Sequence, residues 1–342
     1  MNFYRLFGLF GKLQSPRVKL LGLYVLHITG KRYLGVFLDP VLACNFRCKM
    51  CYFSDEEKRK SMHGSLSPDE ISQAAKALFH RTLKLQIGCG AEPTLYKDLE
   101  QIVRIGKKYG VPYISLTTNG NLLTENKLTT LVKAGLNEIT ISLHGIKKET
   151  YEFLMTNGNF DRFLRLLNDL KEVKKEFPAF KVRINYTMNA DNIEELGEFW
   201  SVFNGIPIDV LQLRPIQEIG KSEYNNFDLN KISDSFENIL IPLIESCKSK
   251  KIICLTPDKS NLVALKENTP DKNKIIEDLT YCYYSPHGCL NDGFDYKTES
   301  FETFSKRTKR GTFILKNLFK YSAGTSGHEK EVTRRMNYSV KK

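Results

Sequence analysis

The sequence predicts an α/β fold built on a parallel β-sheet. Between Gly35 and Leu213, apolar strand-like runs alternate with helix-like segments roughly every 25 to 45 residues, a spacing typical of β–α–β units with right-handed crossovers. About six such units fit into this stretch, which is too few for a closed barrel of eight strands. The chain of 342 residues is long enough for this core and a smaller second unit.

Each element is predicted from periodicity and from signals at its ends. The first strand is the apolar run that begins at Gly35. A later helix begins with a capping box, with Ser67 as N-cap, Pro68 in the first turn and Glu70 as its acid. The remaining elements are predicted in this order: strand 83–87, helix 96–109, strand 113–117, helix 124–134, strand 138–143, helical segments 147–175, strand 181–188, a helix capped by Asp191, strand 209–213, helix 230–250 and strand 252–255.

Three cysteines, Cys44, Cys48 and Cys51, follow the first strand on one short segment. Thiolates are soft ligands, and iron–sulfur clusters are the common reason to place several of them together. Three ligands leave one iron of a four-iron cluster open for another molecule. A zinc site would need a fourth ligand, for which His63 lies twelve residues beyond Cys51. The remaining interpretation is three incidental buried cysteines.

This cysteine spacing after a first strand resembles the signature of the radical S-adenosylmethionine (SAM) enzymes. The resemblance implies a [4Fe-4S] cluster held by Cys44, Cys48 and Cys51, with SAM bound to the open iron. It implies reductive cleavage of SAM to a 5′-deoxyadenosyl radical that abstracts a substrate hydrogen, with an external flavodoxin- or ferredoxin-like electron donor. For the fold, it implies a six-stranded partial (β/α)6 TIM-type barrel with a smaller irregular C-terminal extension, and reactive groups at the C-terminal strand ends.

Motifs at successive predicted strand ends are similar to those that hold SAM in this family. The stretch 88–93 is similar to a Gly-Gly-Glu-Pro motif that binds the SAM amino group, and 117–120 to a Thr-Asn-Gly motif. The resemblance also implies a ribose contact from the fourth strand, contacts to the SAM carboxylate from the fifth and an adenine contact from the sixth. The resemblance assigns SAM contacts to Gly90, Ala91, Glu92, Pro93, Asn119, Ser142, Arg183, Asn185 and Leu213.

The chain departs from the family pattern at three positions. Ala91 replaces a glycine, although a small residue still permits close backbone approach. His144 stands where many relatives carry an acid. Met50 stands where an aromatic residue usually packs on adenine, a space that Met can fill and to which Tyr52 or Phe53 can contribute. Taken singly, the motifs also have simpler explanations, such as a turn at 118–120.

The net charge of +12 lies at the two ends of the chain. Residues 1–32 carry six Lys and Arg and no acid, and residues 305–342 carry eleven basic and two acidic residues. The middle is therefore slightly negative. A channel for RNA would need basic charge in the body of the fold, so this distribution disfavours a nucleic-acid partner.

Four further cysteines, at 247, 254, 282 and 289, lie in the C-terminal third. The stretch 281–293 faintly resembles the start of a SPASM or twitch module, which carries auxiliary clusters, and 311–318 its later part. The later cysteines of such modules are absent, so a cluster-free extension is favoured over a second, auxiliary cluster.

The predicted organisation has four parts: a basic amphipathic N-terminal segment (1–34), the partial barrel (35–256), a C-terminal extension (257–304) and a basic, solvated tail (305–342). The segment Phe3–Phe10 is aromatic and basic. It is expected either to contact an anionic membrane surface peripherally or, preferably, to cover the bottom of the barrel. The chain shows no secretory signal, and eight cysteines then fit a cytoplasmic, metal-binding protein better than a disulfide scaffold.

The sequence does not name a substrate, because the cofactor performs the difficult chemistry. A peptide or protein side chain is the preferred substrate, on the strength of the extension. The alternatives are a small molecule in cofactor or lipid-component biosynthesis, RNA methylation, which the charge distribution disfavours, and a non-catalytic iron–sulfur or SAM-binding scaffold.

Overall fold

A computed structural model of the protein describes residues 13, 15–218, 220–257, 259, 262, 274–289 and 293–320. These residues form one nine-stranded sheet in the order β7-β6-β5-β4-β3-β2-β1-β8-β9. All neighbouring strands are parallel except the pair β8 and β9. The strands are β1 (Leu34–Leu38), β2 (Thr82–Ile87), β3 (Tyr113–Thr118), β4 (Glu138–Leu143), β5 (Lys181–Met188), β6 (Val210–Pro215), β7 (Ile253–Leu255), β8 (Tyr281–Ser285) and β9 (Gly288–Cys289).

Helices occupy most of the connections between the strands. The α-helices are α1 (Pro16–Ile28), α2 (Glu56–Ser61), α3 (Pro68–Leu78), α4 (Leu99–Lys108), α5 (Glu125–Ala134), α6 (Lys148–Leu154), α7 (Phe160–Glu176), α8 (Phe199–Phe203), α9 (Asn230–Asp234), α10 (Ile241–Ser249), α11 (Lys274–Thr280), α12 (Phe301–Arg307) and α13 (Arg310–Lys320). Single turns of 3₁₀-helix lie at Phe79–Arg81 and Pro93–Leu95, a longer one at Ile193–Glu198, and a π-helical turn at Phe236–Leu240.

The two faces of the sheet differ in polarity, because side chains alternate along each strand. One face is apolar and helices cover it. Gly106 of α4 lies so close that a Cβ there would come within 2.6 Å of Ile114 and 3.3 Å of Leu85. The other face is polar: Tyr113 donates a hydrogen bond of 2.8 Å to Glu138, and Glu138 forms an ion pair with Arg183 at 3.3 Å. This polar face is therefore the one that can receive a polar ligand.

The predicted fold class is confirmed, with strands at all seven predicted places. The capping box of α3 is present, with Ser67 and Glu70 bonded reciprocally. The predicted cap at Asp191 is wrong: the following 3₁₀ segment is preceded by Asn192, and the Asp191 carboxylate instead accepts a hydrogen bond of 2.7 Å from Tyr224. The helix predicted over 230–250 is divided into α9, a π-helical turn and α10, with Pro242 in the first turn of α10.

The C-terminal third joins the same sheet as the predicted barrel. Strand β8 pairs in parallel with β1, where Phe37 lies opposite Tyr283. The prediction of a solvated tail from residue 305 is wrong for residues 305–320, because they belong largely to α12 and α13, where Ser305 and Ile314 are buried. Residues 311–318, predicted as the later part of a cluster module, lie within α13, while 321–342 are outside the described residues.

Helix α1 buries Leu20 and Leu23, and the Arg81 side chain, directly before β2, donates a hydrogen bond of 2.9 Å to the carbonyl of His27 near the end of this helix. Helix α13 packs on it at Gly311, where a Cβ would lie 3.3 Å from the ring of His27. The outer side of α1 presents an exposed apolar stripe, which consists of Val18, Leu21, Val25 and Ile28. The segment Phe3–Phe10, predicted to contact a membrane or to cover the barrel, lies outside the described residues. No described helix is long and apolar enough to cross a bilayer.

Candidate active site

The three cysteines of the signature lie on the loop after β1, here called the cysteine loop (residues 44–51). Backbone hydrogen bonds fasten this loop to the end of α6: Arg47 N donates to Thr156 O at 2.8 Å, and Lys49 N to Leu154 O at 2.9 Å. Within the loop, Cys51 N donates to Cys48 O at 2.9 Å. The loop is thus held in one conformation next to the carboxyl ends of the strands.

Burial raises the pKa of the Cys44 thiol to about 12, and it also raises the pKa of Cys48 and of Cys51. The thiols are close enough that Cys44 and Cys51 each raise the pKa of Cys48 further. The raised pKa values favour the protonated thiols. A bound metal would favour the thiolates instead, because metal ligation requires and stabilises them. Among the described residues, no three His, Cys, Asp or Glu side chains are arranged to hold a single ion together. In a four-iron cluster each cysteine ligates a separate iron, so the thiols do not have to converge on one ion. Three neighbouring thiols on one loop are suited to such a cluster.

The loop after β2, residues 88–93, is bonded to the cysteine loop and to the end of β3. Glu92 N donates to the carbonyl of Ala43 at 2.9 Å, directly before Cys44. The Gly90 carbonyl accepts a short hydrogen bond from the Tyr52 hydroxyl, directly after Cys51. Both ends of the cysteine loop are therefore tied to the 88–93 loop.

The Glu92 side chain is only 2% exposed, and its carboxylate oxygens accept hydrogen bonds within the protein. Thr118 Oγ1 donates to Oε1 at 2.6 Å, Thr94 N donates to it at 3.1 Å, and Asn119 N donates to Oε2 at 2.8 Å. Burial raises the pKa of Glu92, while these donors act in the opposite direction. Glu92 thus joins the 88–93 loop to the end of β3.

The predicted contacts on the later strands lie in one row across the sheet. Ser142 pairs in register with Asn185, and Asn185 with Gln212. Asn185 is largely buried, and its Oδ1 has no hydrogen-bond partner among the described residues. An unsatisfied buried acceptor is costly unless a ligand or water supplies the donor, so this row suits a polar ligand.

Two predicted residues are placed differently from the others. Arg183 lies two residues before Asn185 on β5 and is therefore further from the carboxyl end of the strand. Its guanidinium forms an ion pair with Glu138 and donates a hydrogen bond to Gln212. Leu213 is 1% exposed and alternates with Gln212, so its side chain lies on the apolar face. Only the backbone of Leu213 is available to a ligand on the polar face.

The three departures from the family pattern have distinct surroundings. Ala91 lies between Gly90 and the buried Glu92. Met50 is buried in the core, whereas Tyr52 contacts the 88–93 loop and Phe53 packs against the Tyr52 ring. Burial, together with the charge of Arg214, lowers the pKa of His144 to about 4, so this imidazole is neutral at physiological pH.

The four C-terminal cysteines form two separate pairs. Cys282 and Cys289 approach to 3.3 Å between their sulfur atoms in the β8–β9 hairpin. Cys247 of α10 and Cys254 of β7 are hydrogen-bonded to each other. Strands β7 and β9 lie at opposite ends of the sheet order.

Sequence reasoning missed three residues that organise the site: Asn45, Asp39 and Tyr283. Asn45 lies inside the cysteine motif and Asp39 lies five residues before it. An acid directly after a buried strand is a signal that was available. Tyr283 gave no signal, since its partner Asp39 lies 244 residues away in the chain.

An α/β parallel sheet with a three-cysteine loop and polar motifs at its carboxyl edge is the arrangement that the sequence predicted for this site. Residues 39–199 match the model of the Radical SAM superfamily. A probable GTP 3′,8-cyclase of Sulfurisphaera tokodaii is 30% identical over 197 residues, which cover 58% of this chain and 60% of the relative. The chain therefore spans about three fifths of the length of this relative.

Solved structures show the same fold. Streptococcus suis SuiB bound to S-adenosylmethionine has a TM-score of 0.56 at 16% identity, covering 76% of this chain and 60% of that one. A structure of anSMEcpe with bound AdoMet and Kp18Cys peptide has a TM-score of 0.57 at 15% identity and covers 84% of both chains. Residues 39–199 are therefore similar to the radical SAM superfamily, and the chain has the fold of these SAM-bound structures.

Proposed function

We propose that this protein cleaves SAM reductively and uses the resulting radical to remove a hydrogen atom from a substrate. The observation that carries the proposal is the bonding of the cysteine loop to the strand-end loops at both its ends, through Ala43 and Tyr52. In this proposal the cluster is bound by the cysteine loop and SAM by the adjoining strand-end loops. When bound, the cluster supplies the electron that splits SAM into methionine and a 5′-deoxyadenosyl radical.

In this proposal each part of the site has its own task. Cys44, Cys48 and Cys51 ligate three irons. The backbone of Gly90, Ala91 and Pro93 and the carboxylate of Glu92 bind the SAM amino group, and Asn119 lies beside it. The polar row on the later strands binds the rest of the cofactor. Its members are Ser142 for the ribose, Asn185 and Arg183 for the carboxylate, and the Leu213 backbone for adenine.

The substrate we propose is a small anionic molecule of the nucleotide type rather than a peptide. Strand β8 joins the barrel sheet instead of beginning a separate cluster module, which removes the argument for a peptide drawn from the C-terminal extension. The polar face of the sheet carries Lys84 and Arg214, and cations attract phosphate groups. The relatives named as probable GTP 3′,8-cyclases support the same class.

A substrate-stimulation assay distinguishes the two classes. The reconstituted protein is incubated anaerobically with SAM, dithionite and a candidate substrate deuterated at its carbon-bound positions, and hydrogen transfer is followed as deuterium incorporation into 5′-deoxyadenosine. We expect nucleoside triphosphates to stimulate 5′-deoxyadenosine formation at least fivefold, whereas unmodified peptides leave it at its basal rate. Stimulation by a peptide pool but by no nucleotide would contradict the nucleotide proposal while leaving SAM cleavage intact.

We also propose that an external flavodoxin- or ferredoxin-like protein supplies the electron.

A separate proposal is that the protein contacts anionic membranes peripherally. The exposed apolar stripe of α1 lies in the part of the chain that has only basic charge, a combination that favours anionic lipid surfaces. Flotation with anionic vesicles tests this. We expect binding that is lost in Leu21→Ser/Val25→Ser, and binding only to neutral vesicles would contradict it.

A further inference from the structure

Asp39, the residue directly after β1, is fully buried and surrounded by donors. Its Oδ1 accepts a hydrogen bond of 2.9 Å from Cys89 N. Its Oδ2 accepts from Gly90 N at 2.9 Å, from the Cys89 thiol at 3.3 Å and from the Tyr283 hydroxyl at 2.7 Å. Two consecutive peptide groups of the 88–93 loop are therefore held by one carboxylate, which a tyrosine contacts in turn.

Gly90 is fixed from both sides. Its N–H donates to Asp39, and its carbonyl accepts from the hydroxyl of Tyr52. A Cβ at this position would lie 2.8 Å from the Tyr52 oxygen and 3.0 Å from Asp39 Oδ2. These contacts leave the loop no room to shift at the position where the proposed function places the SAM amino group.

Tyr283 belongs to β8, far outside residues 39–199, which match the family model. The strand is held against β1 by a continuous parallel ladder, and the carbonyl of Tyr284 also accepts a hydrogen bond of 3.0 Å from Asp39 N. The C-terminal strand thus reaches the cofactor loop through both the backbone and a side chain of β8.

We propose that Tyr283 is a positioning residue for SAM binding, because it fixes the Asp39 carboxylate and through it the Cys89–Gly90 peptides of the 88–93 loop. This inference rests on the proposed function, since it assigns the SAM amino group to that loop. It gives the C-terminal part of the chain a task in cofactor binding that does not require a second cluster.

The test compares Tyr283→Phe with Tyr284→Phe. Each variant removes one hydroxyl from adjacent residues of β8, but the Tyr284 hydroxyl lies on the other face of the strand, where it contacts the Glu70 carbonyl at 3.3 Å and Tyr296. The dissociation constant of SAM is measured on the reconstituted holoprotein by titration, together with iron content, melting temperature and the electron paramagnetic resonance spectrum of the reduced cluster with and without SAM.

A lost hydrogen bond to a buried carboxylate corresponds to roughly a tenfold change in an equilibrium constant. We expect Tyr283→Phe to weaken SAM binding about tenfold and to raise KM for SAM with kcat within about twofold, while its iron content equals that of Tyr284→Phe. Tyr52→Phe, which frees the other side of Gly90, should act in the same direction.

Equal SAM affinity in Tyr283→Phe and Tyr284→Phe would overturn the inference. So would a loss of iron in Tyr283→Phe, which would show that the tyrosine supports the fold or the cluster instead of the loop. If the wild-type holoprotein itself fails to bind SAM, the proposed function fails, and that outcome is separate from either of these.

Discussion

Asn119 and Asn45 connect the end of β3 to the cysteine loop through a hydrogen bond of 2.8 Å from Asn119 Nδ2 to Asn45 Oδ1. Asn45 lies between the first two cysteines, while the backbone N–H of Asn119 donates to Glu92. One residue therefore contacts both the loop that carries the cluster ligands and the carboxylate assigned to SAM. This hydrogen bond joins the cysteine loop directly to the strand-end motifs, although they are far apart in the sequence.

Replacing Asn45 with Ala should weaken the coupling between these loops. The Asn119 amide then loses a partly buried acceptor, which costs roughly 1 to 2 kcal/mol. We expect the rate of 5′-deoxyadenosine formation to fall about tenfold with iron content unchanged. Asn126→Ala, an exposed substitution in α5, is the matched control. Unchanged activity in Asn45→Ala would show that the hydrogen bond does not matter for SAM cleavage.

Gly90→Ala should disturb the 88–93 loop by steric contact. The new Cβ would meet the Tyr52 hydroxyl at 2.8 Å, a distance that real Cβ atoms do not adopt, so we expect SAM affinity to fall at least tenfold. Because the nearest atom belongs to Tyr52, the same substitution in a Tyr52→Phe background should cost less. Gly197→Ala, where a Cβ meets nothing within 4 Å, should leave SAM affinity unchanged. Equal losses in both backgrounds would contradict this explanation.

Glu92→Gln tests whether the carboxylate organises the loop. In the variant, the new NH2 group replaces a carboxylate oxygen that accepts from either Asn119 N or the Thr118 hydroxyl. Two donors then face each other, and an unsatisfied buried donor costs about 1 to 3 kcal/mol. We expect the free energy of unfolding to fall by this amount in urea titrations of the apoprotein. Glu100→Gln on α4 provides the surface control. A stability equal to that of the wild type would mean that Glu92 contributes only through the ligand.

His144 should make stability depend on pH. Its pKa in the folded protein is lowered to about 4 from an ordinary 6.5, so the unfolded chain binds a proton in this interval that the folded protein excludes. The stability that this pKa difference gives the folded protein is fully present above pH 6.5 and is lost as the pH falls towards 4. The loss is on the order of 3 kcal/mol. His144→Asn should flatten the urea-unfolding profile between pH 6.5 and 4.5. Identical slopes for wild type and His144→Asn would show that the imidazole titrates normally.

Much of the fold followed from periodicity, because each strand from β1 to β6 is long enough to show its own pattern. The carboxyl-edge position of the motif residues also followed, since parallel strands place their C-terminal ends together. Strand β8 was not recognised as part of the sheet: its five residues are flanked by segments without a clear period, and its partner β1 lies about 240 residues earlier in the chain. Sequence alone contains no local signal for such a pairing.

Side-chain direction explains the remaining differences in the site. Leu213 and Arg183 were both assigned to SAM from their strands, but alternation turns the Leu213 side chain to the apolar face, while Glu138 engages Arg183 further from the strand end. A one-residue difference along a strand decides which face a side chain occupies. A motif resemblance predicts which strand, and which end of it, carries the site. Which side chain can contact the ligand depends on the position of each residue along that strand.

The measurement that tests the central claim most directly is an anaerobic assay of reconstituted wild-type protein and Cys48→Ala with SAM and dithionite. Iron per chain and 5′-deoxyadenosine are determined on the same samples. The account predicts about four irons and 5′-deoxyadenosine for the wild type, and neither a full cluster nor product for Cys48→Ala. Product formation by Cys48→Ala, or a wild-type protein with a full cluster and bound SAM that never yields 5′-deoxyadenosine, would contradict it.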